Sequence, residues 1–409
     1  MTEVNKTAEV NKTTVSTWLI VFLGALTAIA PFSTDMYLPA LPAMSREFSA
    51  STSMIQLTLT ASMLGMAIGQ IFAGPISDIK GRRRPLFVGM GLFTLSSIAC
   101  VLAGSIYIFL AFRFIQGLSG AAGIVIARAV ARDLYKGSLL TKFFSLLMLV
   151  NGIAPILSPV VGAQILVVAP WQGIFIFLTL IGGLLATAAF LMKESLSPEK
   201  RMRGGLRSSL RGFANLLGNR YFLGHCLMQC TTFAAFFAYI AGSSFVFQNV
   251  YGVSAQGFSG IFALNGVGLM IGGFIVGRMV GRIPDVTMLK WGILQAVVGS
   301  FFLLGAFVLQ LSLPLVIIIL FFTVSTLSIV GTSSFSLAMQ AQGRMAGSAS
   351  ALIGFFSTVS GGIMAPLVGL AGSHNALPMG IIMVLGEVGA AIFFYWLIQP
   401  AHKSTVTGE

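Results

Sequence analysis

Three ionisable side chains stand inside stretches that are otherwise apolar. Asp35 lies in "APFSTDMYLPALP" (30–42), Arg113 in "FRFIQGLSGAAG" (112–123) and Glu387 in "LGEVGAA" (385–391). An ionisable group at the centre of a bilayer costs at least ~3 kcal/mol on insertion scales, so such residues face protein or a wet cavity and mark ion or substrate paths. A neighbouring arginine favours the charged form of an aspartate, and desolvation favours the neutral form. Set against each other, these effects make Asp35 a candidate proton carrier whose occupancy follows access to either side of a membrane. A static Asp35–Arg113 ion pair that fixes helix packing is the alternative. Glu387 is a candidate second protonation site, with a buried structural glutamate as its alternative.

The elements that hold these residues are membrane spans. The chain has 409 residues, of which 56% are hydrophobic and 9% charged; a soluble domain carries about 25% charged residues. Apolar stretches of spanning length fall at 17–43, 53–73, 85–104, 107–131, 140–167, 172–192, 221–247, 257–277, 288–310, 314–337, 347–371 and 377–398. The net charge of +13 is concentrated in the even-numbered connections, where Lys80, Arg82, Arg83 and Arg84, Arg132, Lys136 and Lys142, the basic run from Lys193 to Arg220, Arg278, Arg282, Lys290 and Arg344 fall. The opposite loops offer only Arg46. By the positive-inside rule both termini are then cytoplasmic, and loop bias rather than nucleic-acid binding accounts for the charge.

On this frame Asp35 lies about 12 Å and Arg113 about 9 Å below the outer surface, at 1.5 Å per helical residue, so the two reach one level. Pro31 and Pro39 each delete a helical hydrogen bond, and carbonyls freed in a membrane need protein or water; a cavity-lining helix 1 satisfies that need. Neutral polar side chains placed to face a cavity are Gln56, Gln116, Asn151, Gln229 and Asn265, with Tyr37, Phe233, Phe236, Phe237 and Tyr239 as aromatic walls. Many such side chains serve only to pack or bridge helices.

Two motifs are denser. "GPISDIKGRRRP" (74–85) is a tight basic turn in which Gly81 permits the turn and Asp78 is the lone acid, placed to pair with Arg82 or with a helix N-terminus. "NGIAPILSPVVGA" (151–163) puts Gly152, Pro155, Pro159 and Gly162 inside helix 5, allowing a bend and a close contact. Both have echoes in the second half of the chain. "DIKGR" (78–82) answers to "RMVGR" (278–282), "SPVVG" (158–162) to "APLVG" (365–369), and Gly65-x-x-x-Gly69 to Gly268-x-x-x-Gly272. The expected organisation is a disordered tail (1–16), a six-helix bundle (17–192), a cytoplasmic basic linker (193–220), a second six-helix bundle (221–398) and a cytoplasmic tail (399–409). Parallel repeats of this kind are the plan of alternating-access transporters.

These residues resemble the major facilitator superfamily and, within it, the twelve-helix drug:proton antiporters of the bicyclomycin-resistance (Bcr/CflA) type, over residues 17 to about 400. "STDMYLPALPAM" (33–44) is similar to that group's helix-1 signature, "GPISDIKGRRRP" to the loop 2–3 motif, "FRFIQGLSGAAG" with "ARD" (131–133) to the helix-4 motif, and "GIAPILSPVVGA" to the helix-5 antiporter motif. The resemblance implies an all-α membrane protein of two pseudo-symmetric bundles that exports small drug-like molecules in exchange for protons. It also implies a monomer in a bacterial cytoplasmic membrane. Asp35 would be the coupling acid and Arg113 its helix-4 partner in coupling. Gly74, Asp78, Gly81 and Arg82, joined by Arg132 and Asp133, would form a cytoplasmic latch. Ala154 and Ala163 depart from the usual glycines of the helix-5 motif. Export of a metabolite, such as a nucleoside or amino-acid derivative, and an uncoupled uniporter or sensor remain alternatives. The sequence holds no recognisable metal site, nucleotide loop or catalytic triad, so the expected partners are a small-molecule substrate, protons and the lipid bilayer, with no cofactor and no enzymatic reaction.

Overall fold

A computed structural model describes residues 17–135, 137–201, 216–340 and 346–400. Among these residues the chain is helical with no strand, and twelve helical spans are long and apolar enough to cross a membrane. The helices are α1 (Thr17–Asp35), α2 (Leu41–Glu47), α3 (Thr52–Lys80), α4 (Arg83–Val101), α5 (Ile106–Leu134), α6 (Gly137–Val168) and α7 (Gln172–Leu191). After the linker come α8 (Arg220–Phe245), α9 (Ala255–Met279), α10 (Asp285–Val308), α11 (Leu313–Gln340), α12 (Ala346–Val368) and α13 (Leu377–Phe393). The first span is α1 and α2 together, and α8 and α13 each run on into a π-helical turn. The 1–16 tail, most of the basic linker and the last residues of the 399–409 tail lie outside the described residues.

One expected helix is not continuous. The sequence predicts a single helix over 17–43, whereas α1 stops at Asp35 and a 3-10 turn (Leu38–Ala40) leads into α2. The cause is Pro39. Inside a helix its ring would strike the carbonyl of the residue four earlier, which is Asp35. Pro39 and Pro42 instead open the two short helices that follow, where a missing N–H costs nothing. Pro31 stays inside α1.

The internal repeat is visible in the packing. Ser51 caps α3 by accepting from Met54 N, and Ser254 caps α9 in the same way from Gly257 N. A Cβ on Gly69 would run into the Leu118 carbonyl of α5, and one on its counterpart Gly272 into the Ser325 carbonyl of α11. Both helix pairs therefore touch backbone to backbone, as small residues allow in membranes. Gly81 and Gly281 each take positive φ, +87° and +77°.

Hydrogen bonds between the first six spans and the last six gather at one end, away from the linker. Ser53 Oγ donates to the Pro366 carbonyl at 2.8 Å, and Ser259 Oγ to the Pro159 carbonyl at 2.9 Å. The two acceptors are the matching prolines of "SPVVG" and "APLVG". Gln56 Nε2 donates to Ala241 O (2.9 Å), Thr60 Oγ1 to Gly362 O (2.5 Å) and Gln256 Nε2 to Ala163 O (3.1 Å). Ser244 Oγ and Gln248 Nε2 donate to the Leu38 and Pro39 carbonyls at 2.5 and 3.1 Å. Among the described residues, no such bond joins the halves at the linker end. The molecule is closed at the far end.

Candidate functional site

The break after Asp35 builds the site. The last carbonyls of a helix lack intrahelical partners, and in a membrane they must find donors. Arg113 of α5 supplies one. Its Nη2 donates to Ser33 O at 2.9 Å and its Nη1 to Ser33 Oγ at 3.2 Å, with a further bond from Nη1 to Gln116 Oε1. Gln116 Nε2 passes the chain on to Ser97 Oγ at 2.7 Å. The guanidinium carbon sits 4.5 Å from the Tyr37 ring centroid and 5.6 Å from that of Phe175, a desolvated cation–π arrangement. Arg113 is fully buried. Its charge rests at a helix C-terminus, where a cation is favoured.

Asp35 is 7% exposed and closes α1. The expected meeting with Arg113 is not made. Among the described residues the ion pairs are Arg82–Asp78 and Arg82–Asp133, and neither involves Asp35. The helix break is the reason, since it offers Arg113 two serine oxygens and leaves the carboxylate pointing elsewhere. Asp35 lies within electrostatic reach of Tyr239 on α8, in the second half. Three residues on from Asp35, Leu38 is tied to Ser244, so the acid and the tyrosine sit directly beneath the closed end. The backbone at Met36 is held by α6, where a Cβ on Gly162 would overlap the Met36 carbonyl. Pro159 and Ala163 of the same motif accept bonds from α9, so the motif touches both the break and the opposite half. Gly152 and Asn151 lie further along α6, with open space beside Gly152, and the Pro155 carbonyl accepts from Ser158 Oγ at 3.4 Å.

The other polar side chains divide by role. Asn265 Nδ2 donates to the Tyr239 hydroxyl at 3.0 Å, and Gln229 Nε2 to Gly331 O at 3.1 Å. Tyr37 and Thr58 hydroxyls lie 2.9 Å apart. Gln56 belongs to the far-end closure described above. Phe233, Phe236, Phe237 and Tyr239 form a ladder of rings 5.8–6.3 Å apart along α8, and Tyr239 stacks on Phe262 at 5.6 Å. Glu387 is 6% exposed on α13 and is joined to none of these. A groove of about 520 Å³ between α10 and α11 is lined by Phe302, Ile318 and Phe322, each more than half exposed; it faces outward from the bundle.

At the linker end Arg82 is clamped between acids. It reaches Asp78 at 2.5 Å, Asp133 at 2.8 Å and Ser77 Oγ at 2.8 Å. Burial alone would push its guanidinium down, but Asp133 and Asp78 outweigh that and hold it above the ordinary arginine value. Arg132, expected in this cluster, is exposed outside it, because neighbours on a helix point about 100° apart and only Asp133 faces inward. Gly74 has no close neighbour that a methyl group would displace. Sequence reasoning missed Glu194. Its carboxylate accepts from Arg82 N (2.8 Å), Arg83 N (3.2 Å) and Leu196 N (3.1 Å), and a Cβ on Gly81 would strike it. Burial pushes Glu194 up, and the three amides with Arg201 overcome that and hold it below the ordinary glutamate value. It caps the N-terminus of α4, where negative charge is favoured. Its signal in the sequence is an acid directly past the sixth span, at the start of a basic connection.

Comparison with known proteins agrees with this architecture. The family model described as Major Facilitator Superfamily matches residues 23–366. The chain is 41% identical over 384 residues to the uncharacterized MFS-type transporter YdgK of Bacillus subtilis, covering 93% of this chain and 95% of that one. It is 31% identical to the bicyclomycin resistance protein homolog of Haemophilus influenzae (94% and 97% covered), and 28% identical to multidrug resistance protein D of Escherichia coli (93% and 95% covered). Among solved structures, a bacterial homolog of the human lysosomal transporter Spinster matches with a TM-score of 0.75 at 15% identity, covering 93% of this chain and 96% of that one. The xylose transporter XylE from E. coli matches at 0.72 and 16%, covering 93% and 98%. These two likenesses concern the fold.

Proposed function

The chain belongs to the Major Facilitator Superfamily and is a multi-pass membrane transporter, and from that premise we propose that it exports small drug-like molecules in exchange for protons. The reading rests on one observation above the others. Asp35 is a buried acid of the first span, free of any ion pair among the described residues, set at a helix break directly beneath the closed end.

The positive-inside bias supports a cytoplasmic linker and cytoplasmic termini, and in that orientation the closed end faces outward. Substrate enters from the cytoplasm along the aromatic ladder of α8. The outer bonds then break as the halves rock, and Asp35 meets the external solution. A proton taken up by its carboxylate from outside neutralises it, the bundles return, and the proton leaves to the more alkaline cytoplasm. Tyr239 is the candidate to sense the change, since it lies within electrostatic reach of Asp35 while its oxygen accepts from Asn265. Arg113 holds the end of α1 in place and so sets where the carboxylate stands.

The resistance proteins among the relatives carry the drug-like substrate class. Reconstituted protein in acid-inside vesicles, offered a panel of cationic dyes, antibiotics and nucleosides, tests the reading. Accumulation of dyes or antibiotics that a protonophore abolishes is the expected outcome. Accumulation of nucleosides alone would reassign the substrate class, and equilibration without accumulation would replace exchange by uniport.

A further inference from the structure

Glu387 takes no part in the account of Asp35, yet it sits in a sector of the fold with the character of an ion site. Its Oε2 is buried without a hydrogen-bond partner, and so is the hydroxyl of Thr232, which is 1% exposed. The helix register brings the two toward one seam. On α13, Gly386 and Gly389 rest against Thr231 of α8, and Gly380 rests against Leu304 and Phe307 of α10. Glu387 follows Gly380 by seven residues, so it leaves the helix within about 20° of the same bearing, and about 100° from Gly386. That bearing lies between α8 and α10. On α8, Thr231 faces α13, while Gln229 and His225 reach Gly331 and Ser334 of α11. Thr232 falls between those two bearings and enters the seam from the other side.

Hydroxyl side chains lie near this seam on α10 and α11. Along α10, which runs antiparallel to α13, Ser300 lies one turn beyond Leu304, and a Cβ on the adjacent Gly299 would meet Thr323 of α11. Ser300, Thr323 and Thr326 are all buried, and each donates to a carbonyl of its own helix at 2.8, 2.7 and 2.6 Å. They retain only acceptor capacity. The seam therefore sets a carboxylate near hydroxyl oxygens, and among the described residues no ion pair reaches it. Titratable groups on the packed helices are few. On α10 they are Asp285 and Lys290, toward the linker end; α11 has none; α13 has Glu387 alone. On α8, beside Arg220 at its start, stand Tyr221, His225, Cys226, Cys230 and Tyr239, of which Cys230 bonds to Ser360 and Tyr239 to Asn265.

We propose that Glu387 binds a second exchangeable proton in the second half of the transporter, facing the Thr232 hydroxyl. The proposal deepens the proton-coupled reading and rests on it, but not on Asp35. Uptake converts the carboxylate to a carboxylic acid, whose O–H then donates to a hydroxyl oxygen of the seam. A proton fits better than a sodium ion, because unwound backbone carbonyls are the usual sodium ligands in such transporters and α8, α10, α11 and α13 are unbroken at this level.

Infrared difference spectroscopy on the full-length protein in nanodiscs, with glutamate carbon-13 labelled and the pH stepped between about 5 and about 9, tests this without substrate. The expected result is a label-sensitive carboxylic acid band that grows as pH falls, is missing from Glu387→Gln and changes frequency in Thr232→Val. The Asp35 band is unlabelled and disappears only in Asp35→Asn, so the two readings fail separately. If Glu387→Gln does not fold, Glu387→Asp keeps a carboxyl at the site and should remove the band from the label-sensitive set; a label-sensitive band unchanged in Glu387→Asp overturns the proposal. A label-sensitive band absent or invariant over the whole range overturns the proposal, as does one that answers to sodium chloride at fixed pH.

Discussion

Arg113 donates to the backbone carbonyl of Ser33 at 2.9 Å, two residues short of Asp35. The arginine thereby caps the broken helix, and the carboxylate is left without a fixed cation. A locked Asp35–Arg113 pair would hold its charge through the whole cycle, whereas an acid positioned by a capped helix end is free to exchange its proton when the outer end opens.

Arg113→Lys should therefore impair transport although the charge is kept. Lysine cannot contact the Ser33 carbonyl, Ser33 Oγ and Gln116 together with the planar geometry of a guanidinium. Losing one or two charge-assisted bonds of about 1.5–3 kcal/mol each should lower transport by tenfold or more and lower the thermal midpoint. Wild-type rates in Arg113→Lys would show that the cap is dispensable.

Tyr239→Phe removes the acceptor for Asn265 Nδ2 and a hydroxyl within electrostatic reach of Asp35. A net hydrogen bond of about 1 kcal/mol corresponds to roughly a fivefold change. Transport should fall by about that factor, and its pH profile should move. A rate and profile identical to wild type would remove Tyr239 from the coupling.

Ser53→Ala with Ser259→Ala deletes the matched bonds to Pro366 and Pro159. At about 0.5–1.5 kcal/mol each, their joint loss should shift the population toward outer-open states by about tenfold. Spin labels at Ser51→Cys and His374→Cys, both exposed positions at that end, report it as a longer distance component. An unchanged distance distribution would mean that the pair does not hold the closure.

Gly162→Ala should be far worse than Gly152→Ala. A methyl group at 162 meets the Met36 carbonyl, and one at 152 meets nothing within 4 Å. Overpacking costs about 1–3 kcal/mol, so the thermal midpoint should drop for the first variant and hold for the second. Equal midpoints would contradict the close approach of α6 to the helix break.

The Glu194 clasp has a pH dependence of definite sign. A carboxyl held below its ordinary value contributes stability that is complete above the unfolded glutamate value of about 4.3, and that is lost as pH falls through its lower folded value. Amide exchange at Arg82 and Arg83 should stay slow at neutral pH and speed up only in strong acid, while Glu194→Gln should be fast throughout. Fast exchange of the wild-type amides at neutral pH would remove the clasp.

Hydropathy and loop charge were enough to read twelve spans, because the bilayer leaves few other ways to place such segments. The turn at Gly81 and the mirrored prolines were legible as local chemistry repeated at matching positions. The partner of Arg113 was not. Depth alone set Asp35 and Arg113 level, but the choice between a carboxylate and two serine oxygens depends on where Pro39 ends α1. Glu194 was hidden inside a basic linker, and it meets Arg82 from 112 positions away along the chain. Arg132 was placed with Asp133 by adjacency, and helix phase separates them. The seam around Glu387 is assembled from four helices, and only their relative rotation reveals it.

The central claim is that the Asp35 carboxylate carries the proton that drives export, and gradient-driven accumulation in reconstituted vesicles tests it most directly. A difference of about two pH units stores about 2.7 kcal/mol per proton, enough to concentrate a neutral substrate about a hundredfold. Wild-type protein should approach such accumulation. Asp35→Asn should bind substrate and bring it only to equal concentrations on the two sides. An Asp35→Asn protein that still concentrates substrate as far as wild type would contradict the account.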